Sequence, residues 1–290
     1  MFVSIIVFCT TVTGTTIPLL YNAKGVPFVE VYLANSNYPE TVLRTVSMKI
    51  LTNQLGRPSL RGIDEEPYRP QLLSNSSLSV THPRMELADT GSIDRHISIG
   101  HGSDFLNEFG NFLIIPPVVV SSSSVGSLVM APHNPSDFCY NQFIEYVRIN
   151  PEDPKMSVRV HIDTEEMRME FFTIQYESEF IRLSRDTFLY LINKIRRIVP
   201  VNVRAWSIPV DECTRENLQR FPTMQFGIMD NQETLMFITV GPNDYIRRDE
   251  SVCHILIRPA LGGESILGAP FLSAVAVHVT PTSFGFCDPL

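Results

Sequence analysis

Ile266-Leu267-Gly268-Ala269-Pro270-Phe271-Leu272, followed by Val275 to Val279 and Phe284-Gly285-Phe286, sets the pattern of the whole chain: short apolar runs broken by glycine and proline. Working outward, the same pattern returns at Leu235 to Val240 (LMFITV), Ser157 to Ile162 (SVRVHI), Phe143 to Ile149 (FIEYVRI), Gly126 to Ala131 (GSLVMA) and Pro27 to Leu33 (PFVEVYL). In SVRVHI the apolar residues Val158, Val160 and Ile162 alternate with polar ones, the period of a half-buried strand. Short strands separated by frequent turn signals predict a mainly β architecture. One segment departs from it. Ser184 to Arg197 carries Phe188, Leu191, Ile192 and Ile195 at helical spacing, with Ser184 placed as an N-cap and basic residues in the last turn.

Composition narrows the class further. The 290 residues are 44% hydrophobic and 19% charged, a globular balance. A net charge of −8 favours neither nucleic acid nor an acidic membrane surface as partner. Residues 1–14 (MFVSIIVFCTTVTG) read as a signal peptide, and no segment approaches the ~20 apolar residues of a membrane helix. Secretion, or residence in the lumen of the secretory pathway, is therefore expected. Removing Cys9 with that segment leaves Cys139, Cys213, Cys253 and Cys287, an even number suited to an oxidising compartment. Neither Cys-x-x-Cys nor His-x-x-x-His occurs, so no metal or other cofactor is expected. Asn75-Ser76-Ser77 is the single N-glycosylation sequon, inside a polar run that reads as an exposed loop.

The residues quoted first also carry a family resemblance. Pepsin-like aspartic proteases have I-L-G-D-x-F-L, a strand and then I-G-F at this place; this chain has Ile266 to Leu272, Val275 to Val279 and Phe284-Gly285-Phe286. Phe221-Pro222-Thr223-Met224-Gln225-Phe226 and Gly241-Pro242-Asn243-Asp244-Tyr245-Ile246 resemble two earlier segments of the same C-terminal lobe. Upstream, Gly126 to Tyr140, Ile144 to Ile149, Tyr68-Arg69-Pro70 with Ser74 to Ser77, and Tyr21 to Leu33 follow in the family's order. The resemblance implies a bilobal double β-barrel with a few short helices, and a shortened N-terminal lobe. About 50 residues, including the family's F-D-G-I-L-G-L-G segment, lack a counterpart between Phe112 and Val120. It further implies bridges Cys213–Cys253, within the C-terminal lobe, and Cys139–Cys287, beside strands of the interlobe sheet. The implied division is 15–156 for the N-terminal lobe and 157–290 for the C-terminal lobe.

Catalysis in that family needs two Asp-Thr/Ser-Gly loops, whose carboxylates share one proton and activate a water. Asp89-Thr90-Gly91-Ser92 is the one such sequence present. By motif order it falls on the flap, with Ala88, Asp89, Thr90 and Gly91 at the tip and Ala88 in place of the flap tyrosine. The first catalytic loop then falls on Val42-Leu43-Arg44-Thr45-Val46-Ser47, with Arg44 in place of aspartate. The second falls on Gln175-Tyr176-Glu177-Ser178, with Gln175 in place of aspartate and Glu177 in place of glycine. A permanently charged guanidinium and an untitratable amide cannot exchange the shared proton. Asp163-Thr164-Glu165 lacks the glycine and falls in the preceding hairpin. The chain also lacks the basic prosegment that masks active members.

The resemblance thus implies a secreted, catalytically inactive pepsin-like protein that binds a protein or peptide partner, or serves as a subunit of a larger assembly. An enzyme alternative pairs Asp89 with its copy in a homodimer. That arrangement belongs to single-lobe chains of about half this length.

Overall fold

Runs rich in Val, Ile, Phe and Thr become strands because branched and aromatic side chains pack well on a pleated, half-buried surface. The structure, a computed structural model, describes residues 16–22, 24–35, 42–51, 68–73, 79–81, 96–98, 110–117, 125–130, 134–140, 145–148, 155–229, 233–260, 262 and 264–290. Residues 1–14, Asn75 and Ala88 to Ser92 lie outside them, and so do the signal, glycosylation and flap expectations.

The first sheet has eleven strands: β1 (Thr16–Tyr21), β2 (Pro27–Asn35), β3 (Val42–Leu51), β4 (Tyr68–Leu73), β5 (Ser79–Thr81), β6 (His96–Ser98), β7 (Phe112–Ile115), β8 (Val125–Met130), β9 (Glu145–Arg148) and, from the far end of the sequence, β20 (Ala276–Val279) and β21 (Ser283–Cys287). Its order is β5-β4-β2-β1-β8-β7-β20-β21-β9, with β3 on β2 and β6 on β3. The second sheet has seven: β10 (Met156–Ile162), β11 (Glu165–Ile174), β12 (Ile181–Leu183), β14 (Met224–Met229), β15 (Leu235–Val240), β18 (Ile257–Pro259) and β19 (Ser265–Leu267). Its order is β15-β14-β10-β11-β19-β12-β18. A third joins β13 (Ser207–Pro209), β17 (Val252–Ile255) and β16 (Ile246–Arg248). The protein is mainly β. None of the sheets closes into a barrel; each strand path ends on an open edge among the described residues.

β20 and β21 insert between β7 and β9, so the first sheet joins strands from both sides of the 156/157 division. One hydrophobic core runs through both sheets. An edge-to-face series crosses it: Phe172 to Phe226 at 5.9 Å, Phe226 to Phe271 at 5.5 Å and Phe271 to Phe286 at 6.1 Å between ring centroids. Such pairs contribute about 0.5–1.5 kcal/mol each beyond the area they bury.

Four α-helices are described: α1 (Arg185–Arg196), α2 (Arg215–Gln219), α3 (Pro242–Tyr245) and α4 (Ala269–Leu272). α1 buries Phe188, Leu191, Ile192 and Ile195, as its periodicity predicts. Ser184 stands at the N-cap position, but its hydroxyl bonds no backbone N–H of the helix. It donates instead to Glu170 Oε1 at 2.5 Å. Asp163 and Thr164 form the turn between β10 and β11. Asp163 has φ 57 and accepts from Lys194 Nζ at 2.7 Å and from the Thr223 amide at 3.0 Å. The hydrogen bond that Lys194 donates to Asp163 is the chief reason its ammonium is held above its ordinary pKa.

Two disulfides are present, Cys139–Cys287 and Cys213–Cys253. The second ties β17 to the segment before α2 across 40 residues. Replacing Cys253 by Ser is expected to cost about 4 kcal/mol, chiefly by freeing the unfolded chain. A thermal melt without reductant checks this, and an unchanged midpoint would contradict it.

Candidate functional site

The second sheet contains a crossing that positions the site. β11 and β12 are consecutive in sequence yet not neighbours, because β19 lies between them, parallel to β11 and antiparallel to β12. The chain therefore leaves β11 at Ile174, which pairs with Leu267, and loops over the end of β19 before returning as β12. Gln175, Tyr176, Glu177 and Ser178 make that loop. The Gln175 amide donates to Leu267 O at 3.1 Å, the Ser178 amide to Gln175 O at 3.2 Å and the Ala269 amide to Ser178 O at 2.8 Å. Ser178 Oγ closes the turn by donating to Phe180 O at 2.9 Å.

Gly268 makes this nesting possible. A Cβ at Gly268 would collide with the backbone oxygens of Ser178 and Phe180, so the loop sits on a position that has room only for hydrogen.

Within the loop, Gln175 and Glu177 are half-buried and Tyr176 is fully buried. Burial pushes the Tyr176 hydroxyl well above its ordinary pKa, and the nearby Tyr21 hydroxyl adds to the effect. Tyr21, at the end of β1, is itself buried and its hydroxyl is likewise pushed up. Its ring packs against Gly126, where a Cβ would come within 3.1 Å of the ring edge. Tyr21, at the end of a strand of the first sheet, thus meets Tyr176, in the loop after β11 of the second, in the interior.

Charge gathers at the loop's far end. Glu179 accepts from Lys24 Nζ at 3.0 Å and lies 3.8 Å from Arg247 Nη2. Arg258 stacks over the Phe180 ring at 4.3 Å and donates to the carbonyls of Ile255 and Ile257. Burial lowers its pKa to about 10, leaving it protonated at neutral pH. Lys24 belongs to the turn between β1 and β2, so this ion pair also spans the two sheets.

One expected site position is corrected. Arg44 to Ser47 do not form a loop; they lie inside the ten-residue strand β3, with Arg44 opposite Leu33 and Ser47 opposite Glu30 on β2. Val42-Leu43-Arg44-Thr45-Val46-Ser47 has no glycine to break the strand, and Val and Thr favour extended backbone. Arg44's side chain lies outside what is described.

The sequence reading also missed residues. Tyr176 and Tyr21 lie inside segments that carry the resemblance, but neither has a role of its own there. Glu170 was unremarked, although it is buried on β11 while its neighbours Met169 and Phe171 are 55% and 66% exposed, the reverse of ordinary strand polarity. Among the described residues, no group of three or more His, Cys, Asp or Glu side chains could hold a metal ion. No family model matches the chain, and neither does any curated protein.

Proposed function

We propose that this chain is a secreted pepsin-like protein without a catalytic dyad, acting by binding a protein or peptide partner. The observation that carries the reading is the loop at 175–178, laid over the end of β19 against Gly268. The aspartic protease family places a catalytic aspartate at the start of such a loop. Here the position is Gln175, which does not titrate, and buried Tyr176 follows it.

A repeat of the same pairing supports the reading. β6 runs parallel to the end of β3, with Leu51 opposite Ser98, as β19 runs parallel to the end of β11, with Ile174 opposite Leu267. On this comparison His96-Ile97-Ser98 takes the role of Ser265-Ile266-Leu267. The first catalytic position then moves from Arg44 to the residues that follow Leu51. Those read Thr52-Asn53-Gln54-Leu55-Gly56, and the next carboxylate in the sequence is Asp64. Either placement lacks an aspartate.

Two disulfides suit the secretory pathway. Among the described residues no helix is long and apolar enough to cross a membrane. Size-exclusion chromatography with light scattering on natively purified protein tests the partner reading. A stoichiometric complex that resolves into this chain and a second component is expected, and a lone monomer counts against it.

A further inference from the structure

A cavity of about 630 Å³ opens beside the Cys213–Cys253 bridge, away from the loop at 175–178. Its apolar wall is Leu218 of α2, Phe221 and Ile246 of β16. Arg215, Arg248 and Asn243 supply its main polar groups. The volume is within the roughly 300–1,000 Å³ of small-molecule sites.

The disulfide brings the two arginines together. Arg215 follows Cys213 by two residues at the start of α2, and Arg248 is the cross-strand partner of Cys253 on β17. With the bridged Cα atoms 6.3 Å apart, the backbones that carry both arginines belong to one covalently fixed frame. Thr214 strengthens that frame by capping α2, its side chain accepting from the Asn217 amide at 3.2 Å.

Among the described residues, neither cation has a carboxylate within ion-pair distance. Among the described residues no carboxylate lines the cavity, in a chain whose net charge is −8. Neither Arg215 nor Arg248 makes a side-chain hydrogen bond or ion pair among the described residues. Three nearby acids point to other groups: Glu212 accepts from Asn217 Nδ2 at 3.3 Å, Asp244 from the Gly241 amide at 2.7 Å, and Asp249 from the Glu250 amide at 2.8 Å. Two unpaired guanidinium groups over an apolar wall complement a molecule with one anionic end and one apolar body.

We propose that this cavity binds a small amphipathic carboxylate, its apolar body against Leu218, Phe221 and Ile246 and its carboxylate held by Arg215 and Arg248. The site is independent of the pepsin-like reading, since it uses neither the loop at 175–178 nor Asp89.

Isothermal titration with octanoate tests it on the full chain, alongside octanol and the double variant Arg215→Gln/Arg248→Gln, with circular dichroism to establish that the variant is folded. Saturable octanoate binding is expected, weakened at least about tenfold by the double substitution and at least about tenfold in octanol. Absence of saturable octanoate binding overturns the proposal. Equal affinity in the folded double variant, or for octanol, overturns it as well.

Discussion

Gly268→Val is expected to lower stability by about 4 kcal/mol or more, enough to leave a marginally stable domain largely unfolded. The cause is a backbone collision, since an added Cβ meets the carbonyl oxygens of Ser178 and Phe180 rather than flexible side-chain ends. Relief would need the loop to lift from β19, which breaks the bonds from Gln175 N to Leu267 O and from Ala269 N to Ser178 O. Gly268 has φ −105, a region open to any residue, so the penalty is one of space and not of backbone conformation. Urea unfolding followed by circular dichroism measures it. A variant within about 1 kcal/mol of the parent would show that the loop does not rest on this glycine.

Glu170→Ala is expected to cost a similar amount, about 4 kcal/mol. The Glu170 carboxylate is buried and fully used. Oε1 accepts from Ser184 Oγ at 2.5 Å and Thr187 Oγ1 at 2.7 Å, and Oε2 from the Ser184 amide at 3.0 Å and Ser265 Oγ at 2.8 Å. These bonds fasten β11 to the start of α1 and to β19, so alanine strands donors on two elements. Burial pushes the Glu170 pKa up, but the donors from Ser184, Thr187 and Ser265 outweigh it and hold the group below the usual carboxylate range. A depressed folded pKa contributes stability that is complete above the unfolded value and lost as pH falls through the folded one. The stability gap between the parent and Glu170→Gln should therefore be full at neutral pH and shrink in acid. A gap independent of pH would contradict this account.

Legibility differed along the chain for physical reasons. α1 was readable because Phe188, Leu191, Ile192 and Ile195 follow a period that its own backbone imposes. The strands SVRVHI and LMFITV were readable for the same reason. The insertion of β19 between β11 and β12 is a pairing across about 90 residues, which no local pattern encodes. Motif order alone placed a loop at Arg44, where β2 pairing makes a continuous strand. Glu170 escaped notice because a carboxylate on a strand ordinarily faces solvent, and its partners Ser184, Thr187 and Ser265 are brought to it by the fold. Tyr176 was hidden for the reverse reason: a tyrosine in a polar loop gives no sign that both flanking sheets will close over it.

The claim that the shared-proton chemistry is lost is tested most directly by assaying peptide cleavage across pH about 2 to 7, with and without pepstatin, on the parent and on Asp89→Asn. The account predicts no cleavage by either protein at any pH. A pepstatin-sensitive activity in the parent that disappears in Asp89→Asn would contradict it and make Asp89 a catalytic residue.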